Sequence, residues 1–288
     1  MQEIKKVASK YVLVALLLIS ANSFANDDKK GDKKGLTGDK NFPSLFSNSA
    51  NAPVIKKMAD SIYDLISLGE FGLEREIFFT AYKGYQYLQN KGALSKTNLL
   101  TICDYSQSIN NKRLYVIDVL NSRLLFNTFV SHGRNSGNEF ATSFSNHDNS
   151  NKSSLGFLVT ADAYNGKAGL SLRFDGMERG INDRVRSRAI VLHGSRFVNE
   201  SFMTVRGTMG KSLGCPAVPF GIHSRIINAI KGGSCFFINH PDAWYAQTSA
   251  ILNAPFDLTP ALQINSADMQ TRMANAAVET GSDKIQAD

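Results

Sequence analysis

Apolar residues recur at helical spacing in two neighbouring stretches near the start of the chain. In residues 54–68 they follow one another at intervals of three and four, and residues 73–88 repeat the pattern after the break SLGEFG. Two stretches with one apolar face each, separated by a short break, predict a helical hairpin that ends at Gly92. We place this hairpin in residues 43–95 and expect it to pack on the domain that follows.

From about Leu99 the pattern changes to short runs that are rich in β-branched and aromatic residues. Six runs have the length and composition of strands: RLYVIDVL, LLFNTFV, LGFLVTAD, LSLRF, AIVLHG and CFFINH. The only later helical pattern is FGIHSRIINAIKGG, between Pro219 and the glycine pair 232–233. The predicted fold class is therefore mainly β (α+β), with a β-rich catalytic domain in residues 96–245 preceded by the helical hairpin.

The first 25 residues have the layout of a secretory signal peptide. Lys5, Lys6 and Lys10 precede or flank the start of the apolar run YVLVALLLIS, and small residues precede a cleavage point after Ala25. A run of about ten apolar residues is too short to span a bilayer. We expect an exported, periplasmic or cell-envelope protein, cleaved near Ala25, with no stable membrane insertion after the signal is removed.

Two further segments lack apolar periodicity. Residues 26–42 mix charges with glycine and are predicted to be a charged linker, and residues 246–288 are predicted to be a mobile C-terminal tail. The formal net charge of the whole chain is +7, which favours polyanionic surfaces such as cell walls through diffuse attraction. Nucleic acid is not an expected partner of an exported chain.

A candidate nucleophile stands in a polar loop instead of an apolar strand. Cys215 lies between Gly214 and Pro216, whereas a structural cysteine usually has apolar neighbours. The glycine lets the backbone approach a substrate, and the proline stiffens the turn. The other two cysteines, Cys103 and Cys235, lie in apolar runs. They are either two buried free thiols or a disulfide, and both readings stay open.

A candidate general base precedes this cysteine by 22 positions. His193 ends the run AIVLH, where a strand would hold its imidazole in place. A thiol nucleophile needs a partner that takes its proton, and a neighbouring imidazolium lowers the thiol pKa. The amide of Cys215 is available as an oxyanion donor. We expect the two side chains to meet beside an open groove; His223, expected on a helix surface, and His240 are rival bases.

The spacing of the remaining polar residues excludes several other site types. HxxxH, HxH and CxxC pairs are missing from the sequence, so a metal site is not expected. A GxSxG elbow is also missing.

Arg134, after His132, is a candidate for bidentate binding of a peptide carboxylate. Arg173 and Arg188 flank strands and are given no role.

The order strand, His-Gly, loop, Ser-x-Gly-Cys, helix, strand resembles that of the YkuD-like L,D-transpeptidases over about residues 99–240. The segments LYVIDVLNSRLLFNTFVSHGRNSG, KSSLGFLVT and RAIVLHGS are similar to a divergent branch, the murein L,D-transpeptidase catalytic domain proteins. The resemblance implies a nucleophile, a base, two residues that shape the loop and one whose carbonyl orients the base. These are Cys215, His193, Ser212 with Gly214, and Gly194.

The sequence departs from the family signature at two positions beside the thiol. Leu213 stands where the family usually has a second histidine, and Ala217 stands where it usually has asparagine or arginine. The interval between histidine and cysteine is also a few residues longer than usual. These changes remove polar groups that help to bind the stem peptide or the oxyanion, so they bear on rate and substrate preference.

The resemblance implies an exported cysteine acyltransferase that acts on peptidoglycan stem peptides without a cofactor. A thioester on Cys215 would pass its acyl group to an amine, giving a 3-3 cross-link, or to water, and carbapenems would acylate the same thiol. Two alternatives remain from the sequence: a weakened or inactive cell-wall-binding protein of the same fold, and another thiol peptidase or transferase of the envelope.

Overall fold

Eight β-strands form a single sheet in the computed structural model of the chain, which describes residues 52–255. The strands are β1 Leu99–Asp104, β2 Leu114–Asp118, β3 Arg123–Thr128, β4 Gly156–Gly166, β5 Gly169–Gly176, β6 Val191–Ser195, β7 Ala217–Pro219 and β8 Cys235–Asn239. The helices are α1 Ala52–Ile66, α2 Arg75–Asn90, α3 Glu200–Arg206, α4 His223–Ile230 and α5 Ala243–Thr248, with a 3-10 turn at Leu68–Phe71. The described residues lie within one compact unit.

The sheet has the order β3-β2-β1-β8-β4-β5-β6-β7 and curls towards closure. Neighbouring strands are antiparallel, except that β1 pairs with β8 and β6 pairs with β7 in parallel. The chain just after β3 returns to the other edge, where Ser131 forms an antiparallel bridge with Ala217. The two edges therefore meet beside β7, so most of the backbone groups of this sheet are paired. The mainly β fold with preceding helices, predicted from the sequence, is confirmed.

The helical hairpin lies where the apolar spacing predicts it. Helix α2 packs on β1 and β8, and its inward face is fully buried. Gly84 lies at the closest approach, because a Cβ on this residue would come within 2.0 Å of the Phe157 ring. Tyr63 of α1 donates a hydrogen bond to the carbonyl of Leu73, which holds the two helices together across the 3-10 turn.

Strands β1 and β2 are buried at every residue. Their sequences are therefore continuous apolar runs without strict alternation, because each face is covered by other parts of the structure. The two cysteines of the sheet are free and buried. Cys235 is opposite Leu100 in the β1–β8 register, three residues from Cys103, so the two thiols point to opposite faces and cannot form a disulfide.

The structure adds two strands and two helices to the sequence prediction. Strands β1 and β7 were not among the six predicted runs, and β7 has only three residues. Asn199 caps the N-terminus of helix α3 by accepting a hydrogen bond from the amide of Phe202, and Gly207, in the left-handed region, caps its C-terminus. Helix α5 is capped by Asp242. These short helices carry cap residues but too few apolar positions to show helical spacing.

The predicted mobile tail is wrong for its first ten residues. Ile251 and Leu252 are buried in the core, and Glu178 accepts hydrogen bonds from Tyr245 and Ser249. The same carboxylate accepts a hydrogen bond from the amide of Phe157, which ties helix α5 to β4. The remainder of the tail, the signal peptide and the charged linker lie outside the described residues.

No helix within residues 52–255 has both the length and the apolar character needed to cross a membrane.

Candidate active site

The loop before β7 holds Cys215 through two residues that the sequence singles out. The hydroxyl of Ser212 accepts a hydrogen bond from the Gly214 amide at 3.1 Å and donates one to the Cys215 carbonyl at 2.6 Å. The backbone of Ser212 is bonded on both sides, to the carbonyl of His132 and the amide of Arg134. The four residues 212–215 are thus held as a rigid turn by local bonds and by the neighbouring chain.

Gly214 is required by both its conformation and its surroundings. Its φ of +124° lies in a region that residues with a Cβ rarely adopt, and a Cβ there would lie 2.9 Å from the carbonyl oxygen of Lys152. Gly133 packs against it from the adjacent chain, since a Cβ on Gly133 would approach the Gly214 Cα to 2.9 Å. The two glycines let the segments before β4 and β7 come into direct backbone contact.

Alanine at Gly133 is expected to lower the free energy of unfolding by about 1 to 3 kcal/mol, because its new methyl group meets backbone atoms that cannot turn aside. The nearest, the carbonyl oxygen of Asn151, would be 2.5 Å from the Cβ. Urea unfolding of Gly133→Ala checks this value. Gly221→Ala is the matched control, because nothing lies within 4 Å of a Cβ there; equal losses in both variants would contradict the packing argument.

His193 lies in the third position of β6, directly beside the residues that follow Cys215. It is the register partner of Ala217, and its amide donates to the carbonyl of Pro216 at 3.4 Å. The ring Nδ1 lies 3.0 Å from the carbonyl oxygen of Gly194. A carbonyl only accepts, so Nδ1 carries the hydrogen and Nε2 presents its lone pair. No other residue in the described part of the chain bonds to Nε2.

The thiol of Cys215 is half-buried and is bonded to the segment that leads into β6. Its Sγ accepts a hydrogen bond from the amide of Val191 at 3.5 Å and lies 3.7 Å from the carbonyl oxygen of Ala189. Within residues 52–255, no hydrogen bond joins this sulfur to His193. His193 on β6 and Cys215 in the loop before β7 are therefore neighbours, but they do not form the direct hydrogen bond that the sequence argument expects.

Burial raises the pKa of the Cys215 thiol, and the amide of Val191 and the charge of Arg188 act in the opposite direction. The expectation of a thiol pKa lowered by an imidazolium is thus wrong for this state of the molecule. The sulfur is held mainly as a neutral thiol among backbone groups, so its activation requires that a base take the proton. The amide of Cys215 has no partner among the described residues, as an oxyanion donor requires.

The rings of the two rival histidines, His223 and His240, are held by packing contacts. His223 is buried, contrary to the surface position expected, because its ring packs against Gly194, where a Cβ would lie 2.6 Å from the ring. Its Nδ1 donates to the carbonyl of Phe220 at 2.6 Å. His240 packs against Phe144, and burial lowers its pKa. Neither ring borders the Cys215 loop through a hydrogen bond in residues 52–255.

His132 is buried beside the fully buried Arg113. The guanidinium of Arg113 donates to Nδ1 of His132 at 2.8 Å, and Nε2 lies 3.3 Å from the carbonyl oxygen of Gly137. This pattern requires a neutral imidazole. Burial, together with the charge of Arg113, lowers the pKa of His132 to about 4. His132 therefore supports the loop through its backbone bond to Ser212 and has no free ring nitrogen for catalysis.

Acid is expected to destabilise the protein through His132. An unfolded histidine takes up its proton near pH 6.5, and the folded one near pH 4, so the unfolded state binds more protons between these values. The free energy of unfolding should fall by about 3 kcal/mol from this group as the pH drops from 6.5 to 4. Urea unfolding across this range should show a smaller fall for His132→Gln than for the exposed control His147→Gln, and equal falls would contradict the assignment.

Arg134 is exposed, and its guanidinium has no partner in the described part of the chain. Its amide donates to the carbonyl of Ser212 at 2.8 Å, so the residue stands next to the loop that carries Cys215. Leu213 is 64% exposed on the same loop. An unpaired cation next to the loop and an exposed apolar side chain on it therefore belong to the surroundings of the candidate site.

A cavity of about 690 Å³ lies elsewhere on the sheet, between β4, β5 and the turn that follows α4. Its two carboxylates, Asp162 and Asp175, are paired with Arg173 and Arg186. Neither Cys215 nor His193 lines it. Within residues 52–255, no group of three His, Cys, Asp or Glu side chains is placed to hold a metal ion.

Comparison with known proteins places the chain in one family. A model of the L,D-transpeptidase catalytic domain family matches residues 70–239, which is more than half of the chain. The chain belongs to the L,D-transpeptidase catalytic domain family. The match includes both His193 and Cys215. A search of curated proteins finds no match.

A search of solved structures matches this chain to proteins of low sequence identity. An L,D-transpeptidase from Mycobacterium smegmatis is 10% identical with a TM-score of 0.31, and the alignment covers 50% of this chain and 59% of that one. LdtMt1 in complex with imipenem is 11% identical with a TM-score of 0.31, covering 49% and 59%. The helical cell shape determining protein Pgp2 from Campylobacter jejuni is 12% identical with a TM-score of 0.34, covering 57% and 55%. The chain thus spans little more than half the length of these relatives.

Proposed function

We propose that the protein is an exported cysteine acyltransferase that acts on peptidoglycan stem peptides. Membership of the L,D-transpeptidase catalytic domain family supports the substrate class. The observation that carries the chemistry is the pairing of β6 with β7, which places a histidine with a free Nε2 beside the loop of a half-buried thiol. The signal-like sequence of residues 1–25 supports export.

The reaction is an acyl transfer in two steps. His193 takes the thiol proton of Cys215, and the sulfur attacks the carbonyl carbon of the third, L-centred residue of a tetrapeptide stem. The bond from that carbonyl to the D-alanine nitrogen breaks, the imidazolium returns its proton to the leaving amine, and a thioester remains. An amine of a second stem, or water, then attacks the thioester and the thiol is released.

Two features of the loop fit the charges of this reaction. The free amide of Cys215 can donate to the oxygen that becomes negative in the tetrahedral intermediate. The unpaired guanidinium of Arg134 is suited to bind a carboxylate of the stem peptide in bidentate fashion. Ala217, which lies between β6 and the chain at Ser131, has only a methyl side chain. It therefore lacks the polar group that the family usually has at this position.

The test combines substrate turnover with trapping of the thiol. The purified protein is incubated with a disaccharide tetrapeptide, and D-alanine release and peptide dimers are measured by mass spectrometry. A separate sample is treated with imipenem and its intact mass is recorded. We expect D-alanine release, a 3-3 dimer and one adduct per chain on Cys215.

The other outcomes separate the alternatives. D-alanine release and an adduct without a dimer would assign water as the acceptor and contradict cross-linking. A folded protein with a reduced Cys215 that gives neither product nor adduct would overturn the proposal. That result would favour the cell-wall-binding alternative, for which the thiol pKa raised by burial is the supporting observation.

A further inference from the structure

The turn of residues 184–190, directly before β6, contacts the sulfur of Cys215. Its amides close back on preceding carbonyls, Arg188 on Arg184 and Ile190 on Val185. Ala189 between them has a φ of +53°, in the left-handed region that non-glycine residues seldom adopt. Its carbonyl oxygen faces Sγ at 3.7 Å. A strained residue at the point of contact with a reactive atom is typical of a functional turn.

Arg188 is the cation of this turn that has no carboxylate in contact. Its guanidinium donates four hydrogen bonds to neutral oxygens: the carbonyls of Ser145 and Lys152 and the hydroxyls of Ser150 and Ser154. The two neighbouring arginines of the turn are different, because Arg184 pairs with Asp148 and Arg186 with Asp175. The half-buried charge of Arg188 is therefore solvated by dipoles and is not neutralised by an ion pair.

One carbonyl group connects this guanidinium to the loop of the thiol. The oxygen of Lys152 accepts from Arg188 at 2.9 Å and is also the atom that would meet a Cβ on Gly214 at 2.9 Å. Arg188 thus contacts the segment that packs on the loop of Cys215. Its position also fixes residues 145–154, because all four of its acceptors belong to that segment.

The other charged groups around the sulfur act differently. The ammonium of Lys152 is directed to the hydroxyl of Ser143. His193 lies on β6 and is a candidate base, so it exchanges its proton during the reaction. Asp148 and Arg184, which are paired with each other, act on Arg188 with opposite signs. Arg188 is the permanent positive charge that lowers the pKa of the thiol.

We propose that Arg188 is a positioning residue of the candidate active site, whose charge stabilises the Cys215 thiolate and whose hydrogen bonds hold residues 145–154 against Gly214. The inference rests on the proposed function only in requiring a reactive Cys215; it does not depend on the substrate. In the proposed reaction the proton goes to His193, and the charge of Arg188 favours the negative sulfur that remains.

The experiment compares Arg188→Gln with Arg188→Lys. Glutamine keeps hydrogen-bonding groups but removes the charge, whereas lysine keeps the charge with poorer geometry. The rate of alkylation of Cys215 by iodoacetamide is measured from pH 6 to 11, with Cys215→Ala as the blank, and thermal midpoints are recorded for every variant. Arg186→Gln, on the same turn but paired with Asp175, is the matched control.

We expect Arg188→Gln to shift the alkylation profile to higher pH by about one unit, a rate loss of about tenfold at pH 7. Arg188→Lys and Arg186→Gln should stay near the wild-type profile. A glutamine profile equal to that of the wild type, or lysine and glutamine variants with the same shift, would overturn the role of the charge. Alkylation needs no peptidoglycan, so failure of the proposed function would leave this result unchanged.

Discussion

Cys215→Ala is expected to abolish D-alanine release and to remove the imipenem adduct completely. The sulfur is the atom that becomes covalently bound to the acyl group in the proposed mechanism, and the hydroxyl of Ser212 is engaged by the Gly214 amide and the Cys215 carbonyl. Loss of a nucleophile usually costs about 10⁴-fold or more in turnover. The measurement is the rate of D-alanine release from the tetrapeptide, together with intact mass after imipenem treatment.

The same variant should fold as the wild type does. Cys215 is half-buried on the edge of the core, so the loss of one sulfur atom removes few contacts. Cys103→Ala is the control, because that thiol is fully buried and burial raises its pKa to about 12. The control should lose stability and keep its activity. A Cys215→Ala protein that still forms the adduct would move the reactive group elsewhere and contradict the assignment.

The sequence predicts those parts of the fold that depend on local pattern. Long apolar stretches at helical spacing mark α1 and α2, and runs of β-branched residues mark six of the eight strands. Strand β7 escapes detection because three residues are too few to show a period, although they form the edge beside His193. Helix α3 escapes for the same reason, and its signals are a capping asparagine at 199 and a glycine at 207.

The sequence indicates a residue of the candidate site only where the type of that residue and its immediate neighbours are enough to predict its role. A thiol in a Gly-Cys-Pro loop and a histidine at the end of an apolar run are visible without coordinates. The place of Arg188 is not, because its four acceptors come from residues 145–154, more than 30 positions earlier. Likewise, the burial of His223 depends on Gly194, which lies on another element and leaves space for the ring.

The thiol environment differs from expectation for a related reason. Contact between Cys215 and His193 was inferred from the chemistry that a nucleophile needs, whereas the sulfur bonds to backbone groups at positions 189 and 191. Those bonds depend on the left-handed conformation of Ala189, a residue type for which no sequence rule predicts a positive φ. The thiol is therefore held by backbone groups of the segment that leads into β6, the strand of His193.

His193→Gln is expected to reduce turnover of the tetrapeptide by about 10²- to 10⁴-fold, the usual contribution of a general base. The bond from Nδ1–H to the Gly194 carbonyl orients the ring and leaves Nε2 to take the thiol proton, and glutamine cannot take a proton at this position. Because burial raises the pKa of the thiol, this proton transfer is needed in every turnover. The measurement is kcat for D-alanine release, with thermal midpoints in parallel.

The contrast with His223→Gln makes this prediction specific to the base. His223 packs on Gly194 and bonds to Phe220, so its replacement should lower the thermal midpoint and reduce turnover only as far as the fold loosens. His193→Gln should keep the thermal midpoint near that of the wild type and lower kcat, because the half-buried ring of His193 makes one backbone bond through Nδ1 and no bond through Nε2 among the described residues. If His223→Gln were the variant with intact stability and a 10²-fold or larger loss of kcat, the general base would have to be reassigned to the ring behind Gly194.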